Sequence, residues 1–412
     1  MGMKKAIILC GGIPQLALVN EFKSRGVYTI LLDRNEKAPA VAYADKFYPV
    51  STMDVDGIIE VAKKEAVDYV ITVCADQMLL VAAEVSEKLG LPCYISYETG
   101  KNVSDKAKMK RIFVENGVPT SKHVILKELD ESSISGLQYP IIVKPVDSYS
   151  SRGVKKVQNF AELSEAFDAA VTISRTKTAV VEEFVEGNEL TVDAYIENGV
   201  ANVLCISGLD KIPGNNKFVI HRGRCPAKVT DKVNELVKDT VQKIANAFEL
   251  KDTPMLVQMI TNGVDKVSVV EFCARTGGGV KFRLIKKMTG FDVVKAVADL
   301  TMGIKPHVEV QRSGKHIINE FLYCKEGVFD HLEGFEELKS EGIISEYYQL
   351  KAAGYEFGEI SSSGDRVACF TVEDDDVDEL NRKHAIAAQT VKAISVDGED
   401  LIRHDLTTNI KY

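Results

Sequence analysis

Lys144 closes an apolar run at residues 140–145, and a polar loop, Asp147-Ser148-Tyr149-Ser150-Ser151-Arg152-Gly153, follows at once. Such a loop offers backbone N–H groups and hydroxyls that can fold over phosphate oxygens, and a lysine beside it supplies charge. The plain alternative is a snorkelling lysine next to an ordinary hairpin. A second group lies in Val180-Val181-Glu182-Glu183-Phe184-Val185-Glu186-Gly187-Asn188-Glu189, where carboxylates crowd a strand end and recur past a turn. A purine needs an edge of backbone donors and acceptors between apolar walls, and ribose hydroxyls suit a carboxylate; a solvated acidic turn would have the same composition. Third, Glu271 ends an apolar run four residues before Arg275, just upstream of Gly277-Gly278-Gly279. A carboxylate can hold Mg²⁺. Arginine and glycine backbone can stabilise anionic oxygens.

The elements that must position these groups follow from periodicity. Over the first hundred residues strands (5–10, 28–32, 69–73) alternate with helices (14–24, 55–64, 78–88), which means a parallel sheet with helices on its faces. Residues 105–116 read as a lysine-rich helix capped by Ser104 or Asp105. Strands are expected at 154–157, 179–184 and 189–197, the last closed by the hairpin dipeptide Asn198-Gly199. A helix at 160–172, a long helix at 231–248 and a hairpin of strands 255–261 and 266–272 complete the middle. The tail carries strand-like runs (317–323, 366–372) and a helix at 376–394.

Other polar features carry less. His221-Arg222-Gly223-Arg224 reads as a basic loop after a strand at 217–220, so Arg222 and Arg224 are candidates for an acidic substrate or a phosphate. Gly11-Gly12 after the first strand, with Asp33 downstream, lacks the third glycine of a dinucleotide fingerprint. The eight cysteines show no CxxC spacing. Cys10, Cys74, Cys205 and Cys369 sit in strand-like runs and read as buried free thiols of a reducing compartment. The acidic run at 373–376 reads as a helix cap.

With 412 residues the chain is too long for one core and is expected to form two or three domains. A net charge of −9 without basic clusters argues against nucleic acid. No apolar stretch is long enough to span a membrane, and the short apolar run after Lys5 does not make a signal peptide.

Taken in order, the lysine helix, the lysine–loop, the Glu-Glu-Phe-Val segment and Glu-x-x-x-Arg-x-Gly-Gly-Gly resemble the ATP-grasp superfamily over the whole chain, and within it most the carboxylate–amine ligases, including the L-amino-acid ligases. The resemblance implies a mixed α/β and α+β fold: a Rossmann-like parallel-sheet domain (1–103), an ATP-grasp domain (104–310, with a lid at about 120–190) and a small antiparallel α+β unit (311–412). It also implies ATP and Mg²⁺, small-molecule carboxylate and amine substrates, a cytoplasmic setting and, by analogy, a homodimer. Carried over residue by residue, Lys106 and Lys144 contact ATP phosphates. Ser148, Ser150, Ser151 and Gly153 belong to the loop that closes over them. Glu182, Glu183, Phe184 and Val185 form the adenine hinge, and Glu189 bonds the ribose. Glu271 and Gln258 hold Mg²⁺. Arg275, with Gly277 and Gly278, faces the substrate carboxylate.

Two departures stand out. The family usually has an acidic ligand at Gln258 and an asparagine at Cys273, so Glu271 is the one evident anionic ligand. This keeps a nucleotide binder without ligase activity in play, beside a phosphoribosylglycinamide synthetase-type enzyme. A carbamoyl-phosphate synthase or biotin carboxylase relative should show a fuller metal set.

Overall fold

A computed structural model describes residues 2–148, 152–214, 218–407 and 412. The N-terminal sheet is parallel, in the order Lys46–Tyr48, Tyr28–Leu32, Lys5–Leu9, Tyr69–Ile71. Its strands are apolar on both faces because helices cover both. Ile8 and Leu31 pack toward Leu18 and Phe22. Ile7 and Leu9 pack toward Ile58, Val61 and Ala82. The short strand Lys46–Tyr48 and the helix Tyr97–Ser104 carry too little periodicity to be read from sequence.

The centre of the molecule is an eight-stranded antiparallel sheet. It begins with the hairpin Thr253–Thr261 and Val267–Cys273, whose turn is fixed by Asn262 Oδ1 accepting from the N–H groups of Val264, Asp265 and Lys266. Asn188–Glu197, Val200–Lys211 and Ile220–Cys225 follow in the sheet. Three strands of the tail, His316–Tyr323, Arg366–Asp374 and Glu346–Gln349, extend this same sheet, because His316–Tyr323 pairs directly with Ile220–Cys225. The tail's other strands, Gly327–Glu333, Glu356–Phe357 and Lys392–Ser395, make a small sheet of their own. Against the expected helix at 376–394, the helix Val377–Thr390 stops and Lys392–Ser395 turns into a strand paired with Gly327–Glu333. Local propensity loses there to tertiary pairing.

A four-stranded antiparallel sheet, ordered His123–Leu126, Ala179–Glu183, Ile141–Pro145, Lys155–Val157, stands apart with the helix Phe160–Ile173. It has its own core, Ile141, Val143, Leu163, Phe167, Ala170 and Val181. The turn joining it to the central sheet needs glycine. Gly187 has φ +151°, and a Cβ there would stand 2.2 Å from the Thr261 carbonyl oxygen. Among the described residues no helix is long and apolar enough to cross a membrane.

Candidate active site

Two contiguous cavities lie along the central sheet. The first is walled by the four-stranded sheet on one side and the central sheet on the other. Lys106, Lys144, Ser148, Glu182, Glu183, Phe184, Val185, Glu189, Gln258 and Glu271 line it, with Ile142, Ile220 and Ile260 as apolar walls. The helix Lys106–Glu115 is started by Asp105, whose carboxylate accepts from the N–H groups of Ala107 and Lys108. Lys106 and Lys110 are four apart and therefore share a face. Lys106 Nζ donates to the Ser148 carbonyl at 2.6 Å and pairs with Glu271 at 3.2 Å, which ties helix, loop and hairpin together. Burial alone would lower the Lys106 pKa, but Glu271 holds it above its ordinary value.

Glu182 sits between two ammonium groups, Lys144 at 2.5 Å and Lys110 at 2.7 Å, and its Oε2 also accepts from Ser121. Burial would raise this carboxyl, yet Lys144 and Lys110 hold it well below the usual carboxylate range. Burial, against the pull of Glu182 and with the repulsion of Lys144, pushes the Lys110 ammonium down to about 8. Glu189, at the far wall, is paired with Lys211 at 2.6 Å.

The hairpin delivers the remaining groups by alternation. Phe272 points into a core with Phe113 and Phe248, with ring centroids 5.9 Å and 4.5 Å away, while its neighbour Glu271 faces the cavities. Gln258 is the cross-strand partner of Glu271, so both oxygen-bearing side chains project at one place. That place is the junction, since Phe218, Ile220, Gln258 and Glu271 line both cavities.

The second cavity, about 430 Å³, is bounded by Cys74, Asp76, Thr191, Cys273, Arg275, Lys281 and the run Gly277-Gly278-Gly279. Arg275 donates Nε to Asp76 Oδ1 at 2.6 Å, Nη2 to Asp76 Oδ2, and Nη1 to the Thr276 carbonyl at 2.8 Å. Burial opposes both charges, but each partner holds the other ionised, with Asp76 below and Arg275 above its ordinary value. Lys281 Nζ is held by Thr191, Ser207 and Asp193 at 2.9, 2.8 and 3.2 Å. A side chain at Gly277 would stand 2.8 Å from Lys281 Cγ, so the chain passes directly over this pair. Burial pushes the Cys74 thiol up to about 12 and the Cys273 thiol well above its ordinary value, which leaves both as neutral lining groups.

Residues 137–283 match the family model described as the ATP-grasp domain, and residues 7–93 match the PylC-like N-terminal domain. The chain carries an ATP-grasp domain. A curated relative, the formate-dependent phosphoribosylglycinamide formyltransferase of Ignicoccus hospitalis, is 29% identical over 252 residues, covering 59% of this chain and 62% of the relative. The chain thus spans less than two thirds of that relative's length. Among solved structures, the L-amino acid ligase from Bacillus licheniformis superposes with a TM-score of 0.79 at 19% identity, over 95% of this chain and 98% of that one. The phosphoribosylglycinamide synthetase from Anaerococcus prevotii superposes with a TM-score of 0.74 at 21% identity, over 96% and 100%. At these identities the likeness is one of fold.

Set against the sequence expectations for an ATP-grasp site, Lys106, Lys144, Ser148, Glu182, Glu183, Phe184, Val185, Glu189, Gln258 and Glu271 are gathered in the first cavity, and Arg275, Gly277 and Gly278 in the second. Ser150 and Ser151 lie outside the described residues. Gly153, at φ +78°, packs by Pro145 and Ile173 and lines neither cavity. Arg222 and Arg224 need correction. They lie inside the strand Ile220–Cys225, not in a loop after it. Arg222 is fully buried against Glu320, with Asp210 at 3.6 Å, and Arg224 pairs with Asp210 at 2.5 Å. Neither lines either of the two cavities. The strand forms because it is paired on both edges, which no local signal shows. Cys10 and Cys74 are half-buried at strand ends with positive φ, not buried within strands.

Sequence reasoning missed Lys110, Asp76, Lys281 and Arg366. The i,i+4 spacing from Lys106 could have found Lys110. Asp76 follows a parallel strand's C-terminal end, where crevices form. Lys281 and Arg366 carry no local signal.

Proposed function

We propose that this chain is an ATP-dependent carboxylate–amine ligase that passes through an acyl phosphate. The observation that carries the reading is the pair of contiguous cavities meeting at Glu271 and Gln258. One has lysines, a loop and an apolar slot suited to a nucleotide; the other is a polar chamber headed by Arg275. In this reading a carboxylate at the junction meets the terminal phosphate of ATP held in the first cavity. Its oxygen attacks the γ-phosphorus, the bond to the β-phosphate oxygen breaks, and ADP leaves. An amine in the second cavity then attacks the acyl carbon and phosphate departs. No nucleophilic side chain is required; positioning and charge neutralisation carry such a reaction.

In this reading Lys106 and Lys144 neutralise phosphate charge. Phe184 and Val185 offer backbone edge and wall to adenine, Glu189 takes the ribose, and Arg275 steadies the anionic oxygens of the carboxyl group. The donor set at the junction, one carboxylate and one amide oxygen side by side, fits Mg²⁺, which commonly takes one or two protein oxygens and fills its shell with phosphate and water. Glu271 and Gln258 would hold it, and it would supply charge neutralisation between phosphates. Glu271 must then exchange its contact with Lys106, which frees that lysine for phosphate.

Purified protein with ATP, Mg²⁺ and amino acids, singly and in pairs, should release phosphate with particular pairs. ATP binding without stimulation by any amino acid or small amine would sink the reading. A second reading is favoured by the formyltransferase relative: an ATP-grasp ligase for a purine-precursor amine. Turnover with formate and phosphoribosylglycinamide, absent with amino acids, would select it.

A further inference from the structure

The charged side chains lining the larger cavity are Asp76, Glu271, Arg275, Lys281 and Arg366. Four of them are already matched. Arg275 pairs with Asp76, Glu271 with Lys106, and Lys281 with Asp193. Arg366 is different. Among the described residues it has no carboxylate partner, so it leaves the cavity with one uncompensated positive charge. Its place is fixed all the same. Nε donates to the Tyr323 hydroxyl at 3.0 Å and Nη2 to the Ile220 carbonyl at 2.9 Å, while the guanidinium lies 3.8 Å from the Phe321 ring centroid. Tyr323 is itself anchored to the same carbonyl at 2.9 Å. Nη1 enters none of these bonds. Ser363, three residues upstream, lines the same cavity.

A guanidinium stacked on an aromatic ring and tied at two corners is pre-organised, so little rotamer entropy is lost when its remaining arm binds. Arg366 opens the seventh strand of the central sheet, whereas Glu271 lies in the first. The curl of the sheet brings both to one chamber, so a single ligand can meet both. One free arm plus one hydroxyl suits the two oxygens of a singly charged carboxylate; a phosphate dianion ordinarily draws more donors.

We propose that the second cavity takes a dicarboxylate, in which one carboxylate, between the Glu271–Gln258 junction and Arg275, is activated and the other is held by Arg366 and Ser363. The proposal rests on the ligase reading for the first carboxylate only. Arg366 is thereby a specificity-determining residue, contributed by the C-terminal strands, and the substrate class is that of acidic amino acids and their relatives.

The test uses the full chain with ATP and Mg²⁺, as wild type, Arg366→Ala and Arg366→Lys, with unliganded melting curves to check folding. Glutarate, butyrate and inorganic phosphate are the thermal-shift probes; glutamate and glutamine, each paired with a panel of amines, are the turnover probes. Glutarate should raise the melting temperature of the wild type and not of Arg366→Ala, and butyrate should not. With glutamate, Arg366→Ala should raise KM by about tenfold or more, the worth of one charge-assisted contact, with kcat nearly kept. Arg366→Lys should fall between. Equal response to butyrate, glutarate binding that survives Arg366→Ala, or stabilisation by phosphate alone would overturn the proposal. Glutarate binding without amino-acid-stimulated phosphate release would leave the dicarboxylate site standing and remove the ligase reading. Turnover that ignores the second carboxylate would do the reverse.

Discussion

Around Lys144 and around Arg275 the molecule solves the same problem, holding charge away from water, by different means. In the first cavity one carboxylate, Glu182, serves two lysines at 2.5 and 2.7 Å, and all three side chains are buried. Within that triad the surplus charge is positive. In the second cavity each ion has its own partner, and the partners come from remote parts of the chain: Asp76 and Arg275 are 199 residues apart. The first arrangement is a site waiting for an anion. The second is a lattice of closed pairs that shapes a chamber and leaves Arg366 as its one unbalanced charge. A ligand entering the first cavity completes it; a ligand entering the second must compete with contacts already made.

The largest expected effect of breaking this contrast is at Glu182. Glu182→Ala leaves Lys110 and Lys144 buried and facing each other, and should cost about 3–5 kcal/mol, the usual penalty for orphaning a buried charge, read by urea denaturation at neutral pH. The pH dependence follows with its sign. The folded carboxyl lies below its unfolded value of 4.5, so its stabilisation is fully present above about 4.5 and is lost as pH falls below it. Glu182→Gln should flatten that acid-side loss. A wild-type stability that does not fall between about pH 5 and pH 3 would refute the assignment.

The second effect is on rate. Arg275→Ala should leave nucleotide binding intact but cut substrate-stimulated phosphate release by about 10²–10³, the scale for losing one preorganised donor to developing negative charge. A parallel loss of ATP affinity would mean that the two cavities are not separable. Asp76→Asn is the sharper probe. It keeps the shape but removes the charge that competes for Arg275, so KM for the carboxylate should change more than kcat. Equal changes in both would assign Asp76 a role beyond holding Arg275.

The same contrast explains what could be read in advance. Lys144 with its loop, the run from Glu182 to Glu189, and Glu271 with Arg275 are contiguous in sequence, and their chemistry shows in the order of residues. The alternating N-terminal sheet and the Asn198-Gly199 hairpin were legible for the same reason. Asp76, Lys281 and Arg366 acquire meaning only from partners 43 to 199 positions away. Arg222 shows the converse error. His221-Arg222-Gly223-Arg224 has the composition of a basic loop, yet pairing with strands on both sides makes it part of the sheet and turns its charges toward Asp210 and Glu320.

The smallest expected effect lies at the junction the two cavities share. Gln258 and Glu271 are cross-strand partners, so together they present one negative charge to a cation, and Lys106 at 3.2 Å from Glu271 reduces even that. Gln258→Glu adds a second carboxylate in the same position with little change of volume. Hard cations bind more tightly as ligand charge rises, so Mn²⁺, used as a paramagnetic stand-in for Mg²⁺, should bind the variant more tightly by a few-fold in the presence of ADP. Turnover need not rise with it, because transition-state positioning depends on Arg275 and the lysines as well. An unchanged Mn²⁺ affinity would show that Gln258 does not face the cation, and the donor set at the junction would then reduce to Glu271 alone.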